Sequence, residues 1–245
     1  MRAPRLYLPI PLATGLTVPL DDHTFNHAVR VLRLGVNAPV TLFNGQGGTF
    51  AAALTEVGKR QALVRVKDAL TGEVESPLSV TLAQSVSRGE KMDYTLQKAV
   101  ELGVATIQPL FTERSGVDLT GERLARKVQH WHGIVIGACE QCGRNRLPEL
   151  REPLPLIDGL TRLTKKPGLG LLLDPLAALG LRGLTPPSGP ITLLIGSEGG
   201  LSPAELAKAR EAGFIGIRLG PRILRTETAG VAALAAIQAL WGDCG

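Results

Sequence analysis

The chain has 245 residues, of which 44% are apolar and 20% are charged. It is therefore long enough for one large domain or two small ones, and too apolar to be disordered. Its formal charge is +5 and arginine dominates the basic residues, which favours an anionic partner such as nucleic acid, although a GC-rich genome would also raise the arginine content. No apolar run reaches the ~18 residues that a membrane helix needs. The amino-terminal stretch, with its prolines, is a poor signal peptide, so we expect a cytoplasmic protein without membrane contact.

The first part of the chain predicts a small, mostly β domain with one helix. A short apolar stretch at residues 6–8 precedes a polar, helix-like segment at residues 20–34. Two β-rich segments follow, at residues 40–57 and 61–70, and the first contains the turn signal Asn44-Gly45. Residues 71–77 form a plausible linker, and we predict two domains, at residues 1–72 and 73–245.

From Leu78 onwards, short apolar segments alternate with helical ones, which predicts an α/β domain built on a parallel sheet. Strands this apolar are buried on both faces, so helices should cover both sides. Ligands bind such sheets beyond the carboxyl ends of the strands, so the loops after residues 174, 196 and 219 are the candidates. The predicted strands are residues 78–86, 106–111, 169–174, 191–196 and 214–219, and the predicted helices are residues 88–103, 122–141, 202–213 and 226–241.

The cysteines and histidines do not indicate a metal site. Three cysteines are present, and Cys139 and Cys142 form a CxxC within a predicted helix. No second CxxC or HxxxH pair completes a four-ligand zinc set. His130 and His132 are two residues apart and therefore do not share a helical face. We expect both cysteines to be small apolar residues on one helical face, and no metal.

The segment IGSEGGLSPAE, residues 195–205, places three glycines within five residues directly after a predicted strand. Such glycines either make a tight turn or let a ligand approach the backbone closely. Ser202, Pro203 and Glu205 are typical of a helix start. A tight turn does not require a carboxylate, so Glu198 is a candidate functional residue. The chain lacks the GxGxxG, GxxxxGK[ST] and GxSxG motifs of dinucleotide folds, P-loop enzymes and hydrolases.

The segment LGPRILRTETAG, residues 219–230, carries Arg222 and Arg225 just before a predicted helix. Cations at a helix amino terminus oppose the helix dipole. Either these arginines are simply exposed, or they bind an anion together with backbone N–H groups. Thr226 or Thr228 is predicted to cap the helix.

These two segments closely resemble the cofactor-loop signatures of the RsmE family of SPOUT-class methyltransferases. KMDYTLQKAVELGVATIQPLFTERS, ACEQCGRNRLPEL and HAVRVLRL resemble three further family segments, so the resemblance covers most of the chain. Ser197 stands where proline is more usual, and Cys142 where a small polar residue is common.

The resemblance implies a C-terminal SPOUT domain, with a deep trefoil knot and a mostly parallel sheet, and an N-terminal PUA-like β-barrel domain. Topology rules alone would disfavour a knot. It also implies a homodimer that uses S-adenosylmethionine to methylate N3 of the uridine conventionally numbered 1498 in 16S ribosomal RNA of the small subunit. The alternatives are a SPOUT enzyme for another RNA position and a non-catalytic RNA-binding factor.

The resemblance also implies roles for individual residues. Arg225 would stabilise the negative charge that develops on the uracil. Glu198 is a candidate general base, but it could equally bind the cofactor or brace the loop. RNA would be held by Arg30, Arg33, Arg114, Arg144 and Arg222. The cofactor would contact Leu173, Asp174, Ile195, Gly196, Glu198, Gly199, Gly200, Leu219, Gly220, Ile223, Leu224, Thr226 and Thr228.

Overall fold

The computed structural model describes residues 3–117, 119–165 and 167–245. The chain packs as two units: Met1–Glu75 with Ile136–Leu147, and Ser76–Val135 with Pro148–Gly245. The predicted boundary after residue 72 stays a prediction. Within the described ranges, no helix has both the length and the apolar character needed to cross a bilayer.

The first unit is built on a five-stranded sheet in the order β1-β3-β4-β5-β2. Strands β1 and β3 are parallel, and the other pairs are antiparallel. The prediction of a mostly β unit with one helix is confirmed. The strands are β1 (Arg5–Tyr7), β2 (Thr17–Pro19), β3 (Pro39–Phe43), β4 (Thr49–Val57) and β5 (Ala62–Leu70).

The helical segment of the first unit is shorter than predicted. It consists of one α-turn, α1 (Asp22–Phe25), which continues as a π-helix over Asn26–Val31. Asp21 begins it, because its carboxylate accepts a hydrogen bond from the Thr24 backbone N–H at 2.8 Å. It ends before Arg33, whose backbone is left-handed with φ of 55°. Its apolar side packs into the core with residues from all five strands.

The second unit is built on a sheet in which every pair is parallel, in the order β12-β10-β11-β6-β7-β8, with β9 also beside β7. This confirms the predicted α/β class. The strands are β6 (Val80–Ser85), β7 (Thr106–Phe111), β8 (Glu149–Leu150), β9 (Leu154–Pro155), β10 (Leu169–Leu173), β11 (Ile191–Ile195) and β12 (Ile215–Ile217). The helices assigned to the stretch from residue 90 onwards are α2 (Glu90–Glu101), α3 (Gly121–Cys142), α4 (Leu156–Leu163), α5 (Pro203–Glu211) and α6 (Thr226–Trp241).

Helices cover both faces of this sheet, as predicted. On one face Ala83 and Leu194 form a core with Leu160 of α4 and Ala209 of α5. On the other face α6 comes close to Leu82 of β6, Ile195 of β11 and the side chain of Gln84, because Gly230 has no side chain. Neighbouring strand residues therefore point to opposite sides, as the period of two in a strand requires.

The strand order determines which loops meet. Strands β10, β11 and β12 are neighbours and run in the same direction. Their carboxyl ends, at Leu173, Ile195 and Ile217, therefore share one edge of the sheet. The three loops that the sequence selected as ligand-binding candidates follow these ends.

Candidate active site

A cavity of about 790 Å³ opens at this carboxyl edge. The last residue of each of the strands β10, β11 and β12 lines it, together with the three loops that follow. The structure thereby brings together most of the residues predicted to hold a cofactor: Leu173, Asp174, Ile195, Gly196, Glu198, Gly199, Gly200, Leu219, Ile223, Leu224 and Thr226.

The loop after β11 is compact because its glycines allow close backbone contacts. A side-chain carbon at Gly196 would lie 3.1 Å from the backbone of Gly200 and of Leu201. Gly200 has φ of 70°, a left-handed conformation that favours glycine. The turn closes with a hydrogen bond of 2.9 Å from the Gly200 N–H to the Ser197 carbonyl. The loop therefore presents backbone groups to the cavity, since a side chain would be crowded at Gly196 and strained at Gly200.

A buried chain of hydrogen bonds joins this loop to the start of α6. The Thr226 hydroxyl donates to the Gly196 carbonyl at 2.6 Å, and the Gln84 side-chain amide donates to the same hydroxyl at 3.0 Å. Thr226 and Gln84 are both buried. The predicted threonine cap is wrong, because Arg225 occupies the cap position and makes no side-chain cap. Instead, the Thr226 hydroxyl bonds to the Gly196 carbonyl in the loop after β11.

The far end of the same loop is held by a capping box. The Ser202 hydroxyl accepts from the Glu205 N–H at 3.2 Å, and the Glu205 carboxylate accepts from the Ser202 N–H at 2.8 Å. Pro203 is the first helical residue. This confirms the helix start predicted from the sequence. The second oxygen of Glu205 accepts from the Glu113 N–H at 2.9 Å, so the capping carboxylate also anchors the segment after β7.

Glu198 lies in an ion pair at the cavity wall. Its carboxylate is 3.0 Å from the ammonium of Lys91 on α2. Burial would raise the pKa of Glu198, but hydrogen bonds from its own backbone N–H and from Lys91, with the charge of Lys91, hold that pKa below its ordinary value. Glu198 is therefore ionised at neutral pH. The sequence did not identify Lys91, although it begins one of the segments that carry the family resemblance.

Asp174 fixes the loop after β10. One of its carboxylate oxygens accepts from the Leu176 N–H at 2.9 Å, and the other accepts from Arg210 of α5 at 2.9 Å. Its side chain is 7% exposed. These two contacts fix the Asp174 carboxylate at the cavity wall, and each oxygen keeps a further lone pair for a ligand.

Three of the predicted arginines line the cavity. Arg114 donates to the carbonyl of Gly199 at 3.2 Å and to that of Leu201 at 3.4 Å, so it braces the glycine loop. Arg222 and Arg225 are exposed. Neither donates a side-chain hydrogen bond within the described ranges of the chain, so both guanidinium groups are available at the rim.

Five predicted residues lie outside this cavity lining: Arg30, Arg33, Arg144, Gly220 and Thr228. Gly220 and Thr228 are exposed beside lining residues. In the first unit, Arg30 and Arg33 are exposed, and the guanidinium of Arg30 lies 5.9 Å from the centre of the Phe25 ring. Arg144 is only 5% exposed and pairs with Glu75 at 2.6 Å. Its guanidinium is therefore committed to a contact inside the protein.

The two cysteines of the CxxC lie on α3, as predicted. Cys139 is buried, and burial raises its pKa to about 12. A thiol with that pKa is protonated at neutral pH and is a poor nucleophile or metal ligand. No group of three or more histidine, cysteine or acidic side chains suited to a metal occurs among the residues that the structure describes.

Several cavity residues were missed by sequence reasoning. Leu176 is 93% exposed, and the predicted Ile223 is 85% exposed. Both are large apolar side chains at the rim of a cavity, an arrangement that often marks a binding surface. Position directly after a predicted strand could have identified Pro175 and Ser197, whereas the others lie within predicted strands or helices or at a helix start. Besides Lys91 and Leu176, the missed residues are Pro175, Ser197, Leu201, Pro203, Leu206, Ile217, Arg218 and Ala229.

Comparison with known proteins agrees with this arrangement. Residues 74–238 match the family described as the RNA methyltransferase domain, and residues 20–67 match the RNA methyltransferase PUA domain. Two Buchnera aphidicola proteins named ribosomal RNA small subunit methyltransferase E are 35% and 36% identical to this chain. Each alignment covers 99% of this chain, and 95% and 98% of the relatives. The chain belongs to the RsmE family of RNA methyltransferases.

Two solved structures are similar to this chain over almost its whole length. A ribosomal RNA small subunit methyltransferase E from Neisseria gonorrhoeae, solved with S-adenosylmethionine, is 43% identical, with a TM-score of 0.92 and full coverage of both chains. A Legionella pneumophila methyltransferase structure, also solved with that cofactor, is 41% identical, with a TM-score of 0.95 over 99% of this chain and 100% of the other. The first unit is accordingly PUA-like.

Proposed function

We propose that this protein transfers a methyl group from S-adenosylmethionine to N3 of the uridine numbered 1498 in 16S ribosomal RNA. The observation that carries the proposal is the single cavity made by the three loops after β10, β11 and β12. Relatives that are more than a third identical bear the name of a small-subunit ribosomal RNA methyltransferase, and the Neisseria gonorrhoeae structure contains the methyl donor.

The residues present fit that cofactor. The cavity of about 790 Å³ is within the ~300–1,000 Å³ typical of small-molecule sites. Apolar side chains, including Leu173 and Leu224, line it beside the backbone groups of the glycine loop. Such a wall suits a nucleoside base and a thioether chain, and the backbone amides and carbonyls supply hydrogen bonds. When bound, S-adenosylmethionine would supply an electrophilic methyl group on its sulfonium.

Arg225 is the residue that we assign to charge stabilisation. A uracil imino nitrogen must lose its proton before or during methylation, and the resulting negative charge spreads to the ring oxygens. An arginine that donates to those oxygens would lower the barrier. Arg225 lines the cavity, is exposed, and precedes α6 directly. Arg222 lies three residues earlier at the same rim and would hold a phosphate.

Glu198 is the residue that we assign as general base. It lines the cavity, and its lowered pKa keeps it ionised and able to accept a proton. That same lowered pKa makes it a weak base, and the Lys91 ion pair competes for its lone pairs. The pH dependence of the methylation rate therefore distinguishes a general base from a residue that only braces the loop.

RNA contacts of the first unit would come from Arg30 and Arg33, which are exposed on one short segment. Arg114, which lines the cavity of the second unit, would assist. We leave Arg144 out of this set, because its guanidinium is buried against Glu75. Arginines that reach phosphates need a free face, since a bidentate phosphate contact uses two N–H donors.

We further propose a PUA-like domain at residues 1–72 and a SPOUT domain at residues 73–245, with a trefoil knot through the loops around the cavity. The parallel sheet order is compatible with such a domain, and the knot is implied by the family resemblance. A cytoplasmic homodimer is the expected state by family resemblance, and light scattering would measure it.

The decisive experiment is mass spectrometry of 16S ribosomal RNA from cells that lack this protein. We expect one uridine to lose its N3 methyl group, and the wild-type gene to restore it. Purified protein with labelled S-adenosylmethionine should then label small subunits in preference to transfer RNA. Loss of a methyl group elsewhere would favour an RsmE-like enzyme with another target, and unchanged RNA would favour a non-catalytic binding factor.

A further inference from the structure

A second cavity, of about 500 Å³, lies at the opposite, amino edge of the second unit's sheet. It is lined near the starts of β6, β7, β10 and β11, whereas the candidate active site is lined at strand ends. Five residues per strand at ~3.3 Å each put the two edges roughly 17 Å apart. Nothing in the proposed methyl transfer uses this cavity.

The floor of this cavity is a row of hydroxyl groups. Thr106 of β7 is in register with Thr81 of β6, which is in register with Thr192 of β11. Gly170 of β10 extends the same row. The next row on this face contains Ala83, Leu194 and Leu172 of the buried core. A polar row therefore replaces apolar side chains where the cavity opens. The Thr106 hydroxyl bonds to Glu149, and the hydroxyls of Thr81 and Thr192 can donate to a ligand.

The rim of the cavity is basic. Arg151, Arg162 and Lys165 line it, and no aspartate or glutamate is among its lining residues in the described part of the chain. Arg151 pairs with Glu149 at 2.8 Å. Arg162 and Lys165 form no ion pair with a described residue. Three positive charges against one negative charge leave a net charge of +2.

Arg151 makes fewer hydrogen bonds than its guanidinium group allows. The Nε atom of Arg151 is buried and has no hydrogen-bond partner among the described residues. Hydrogen bonds from Arg151 and Thr106 and the charges of Arg151 and Arg162 lower the pKa of Glu149. Glu149 therefore stays ionised at neutral pH and offsets one of the positive charges at this rim.

The helix dipoles at this edge cancel only part of the positive charge. Arg162 and Lys165 lie at the carboxyl end of α4, and Ala212 and Gly213 follow α5. Each helix end carries about half a negative charge. Two ends cancel about one of the two net positive charges, which leaves about one to attract an anion.

We propose that this amino-edge cavity binds a phosphate group of the RNA backbone. The hydroxyls of Thr81 and Thr192 would donate to the phosphate oxygens, and Arg162 and Lys165 would balance its charge. That the phosphate belongs to RNA rests on the proposed function. The phosphate chemistry itself stands independently, so the test separates the two.

The first measurement is a titration of the full-length protein with inorganic phosphate, followed by NMR or calorimetry. Two variants remove different parts of the site: Arg162→Gln/Lys165→Gln removes charge, and Thr81→Val/Thr192→Val removes hydroxyls while keeping β-branched shape. We expect phosphate affinity to fall at least ~10-fold in each. The control is Arg123→Gln/Arg126→Gln on the exposed face of α3. No binding by wild type, or an equal loss in the control, would overturn the site.

The second measurement is the affinity for 16S ribosomal RNA as a function of salt. Removing two phosphate-binding cations should lower the slope of log K against log salt by about 2. If the variant loses phosphate binding but keeps the wild-type slope, the bound phosphate does not belong to RNA. The ligand is then a free phosphate compound. Labelled-methyl transfer by the wild type is measured in parallel, so its failure would count against the enzyme and not against this cavity.

Discussion

At the scale of single residues, Arg225 is the side chain on which the proposed chemistry depends most. It lines the cavity and is exposed beside the start of α6. We expect Arg225→Ala to lower the rate of the methylation step by ~10²-fold, because a donor to developing charge is lost. Affinity for S-adenosylmethionine should change less than ~3-fold, because in this proposal the Arg225 guanidinium contacts the uracil and not the cofactor. Single-turnover kinetics and calorimetry measure the two effects, and Arg182→Ala, outside the cavity, serves as the control.

Thr226 should matter for the shape of the site and not for its chemistry. Thr226→Val keeps the volume but removes the hydroxyl that Gln84 and Gly196 share. Leaving buried polar groups unpaired costs ~1–3 kcal/mol of unfolding free energy. Thr226→Ser should recover most of this, and Thr228→Val, at an exposed position, should cost little. Chemical denaturation would refute the assignment if all three variants matched the wild type.

Glu198 has a testable pH signature. Because its pKa is held below the ordinary value of about 4.3, a rate that needs its ionised form should be flat above about pH 5. It should fall as the pH drops through that lowered pKa. Glu198→Gln should abolish this limb and lower turnover by ~10²-fold if Glu198 is the base. Near-normal turnover in Glu198→Gln would leave Glu198 with the bracing role that its Lys91 contact already gives it.

At the scale of elements, α2 and α3 are joined by a small ionic cluster. The Asp93 carboxylate is 2.7 Å from His130 and 3.1 Å from Lys127. Burial would raise the pKa of Asp93, but the hydrogen bonds and charges of His130 and Lys127 lower it overall. The carboxylate therefore binds protons less readily in the folded protein than in the unfolded chain.

The sign of this linkage gives a stability prediction. The Asp93 contribution is fully present above the unfolded pKa of about 3.9 and is lost as the pH falls through the lower folded value. Asp93→Asn should therefore be less stable than wild type at pH 5–7, and the difference should shrink below pH 4. Urea unfolding at several pH values measures it. Glu122→Gln, which affects an exposed pair with Arg126, should show no such trend.

Local sequence specified most elements but not their arrangement. The predicted bounds of β7 and α6 match those observed, because apolar periodicity and flanking glycines act over a few residues. The π-helix after Phe25 and the pairing of Lys91 with Glu198 were not predicted. The latter joins residues 107 apart, and nothing local encodes which strands become neighbours. Thr226 was misassigned for the same reason, since its partner lies on another loop.

At the scale of the whole molecule, the net charge of +5 should make RNA binding strongly dependent on salt. Arg30→Gln/Arg33→Gln should lower the slope of log K against log salt by about 2 if each arginine contacts a phosphate. Affinity for S-adenosylmethionine should not change, because neither residue lines the cavity. The same RNA slope in variant and wild type would remove these residues from the RNA-binding set. Lys59→Gln/Arg60→Gln is the control with equal charge change.

The left-handed backbone of Arg33 links the stability of the protein to its proposed RNA binding. Glycine would occupy that conformation without the steric cost of about 1 kcal/mol that a side chain carries. Arg33 therefore makes the end of this helix less stable than glycine would, but it places a guanidinium group on the surface. Arg33→Gly should therefore raise the thermal stability of the protein. The same substitution removes a guanidinium group that is proposed to bind RNA, so it should lower the affinity for RNA.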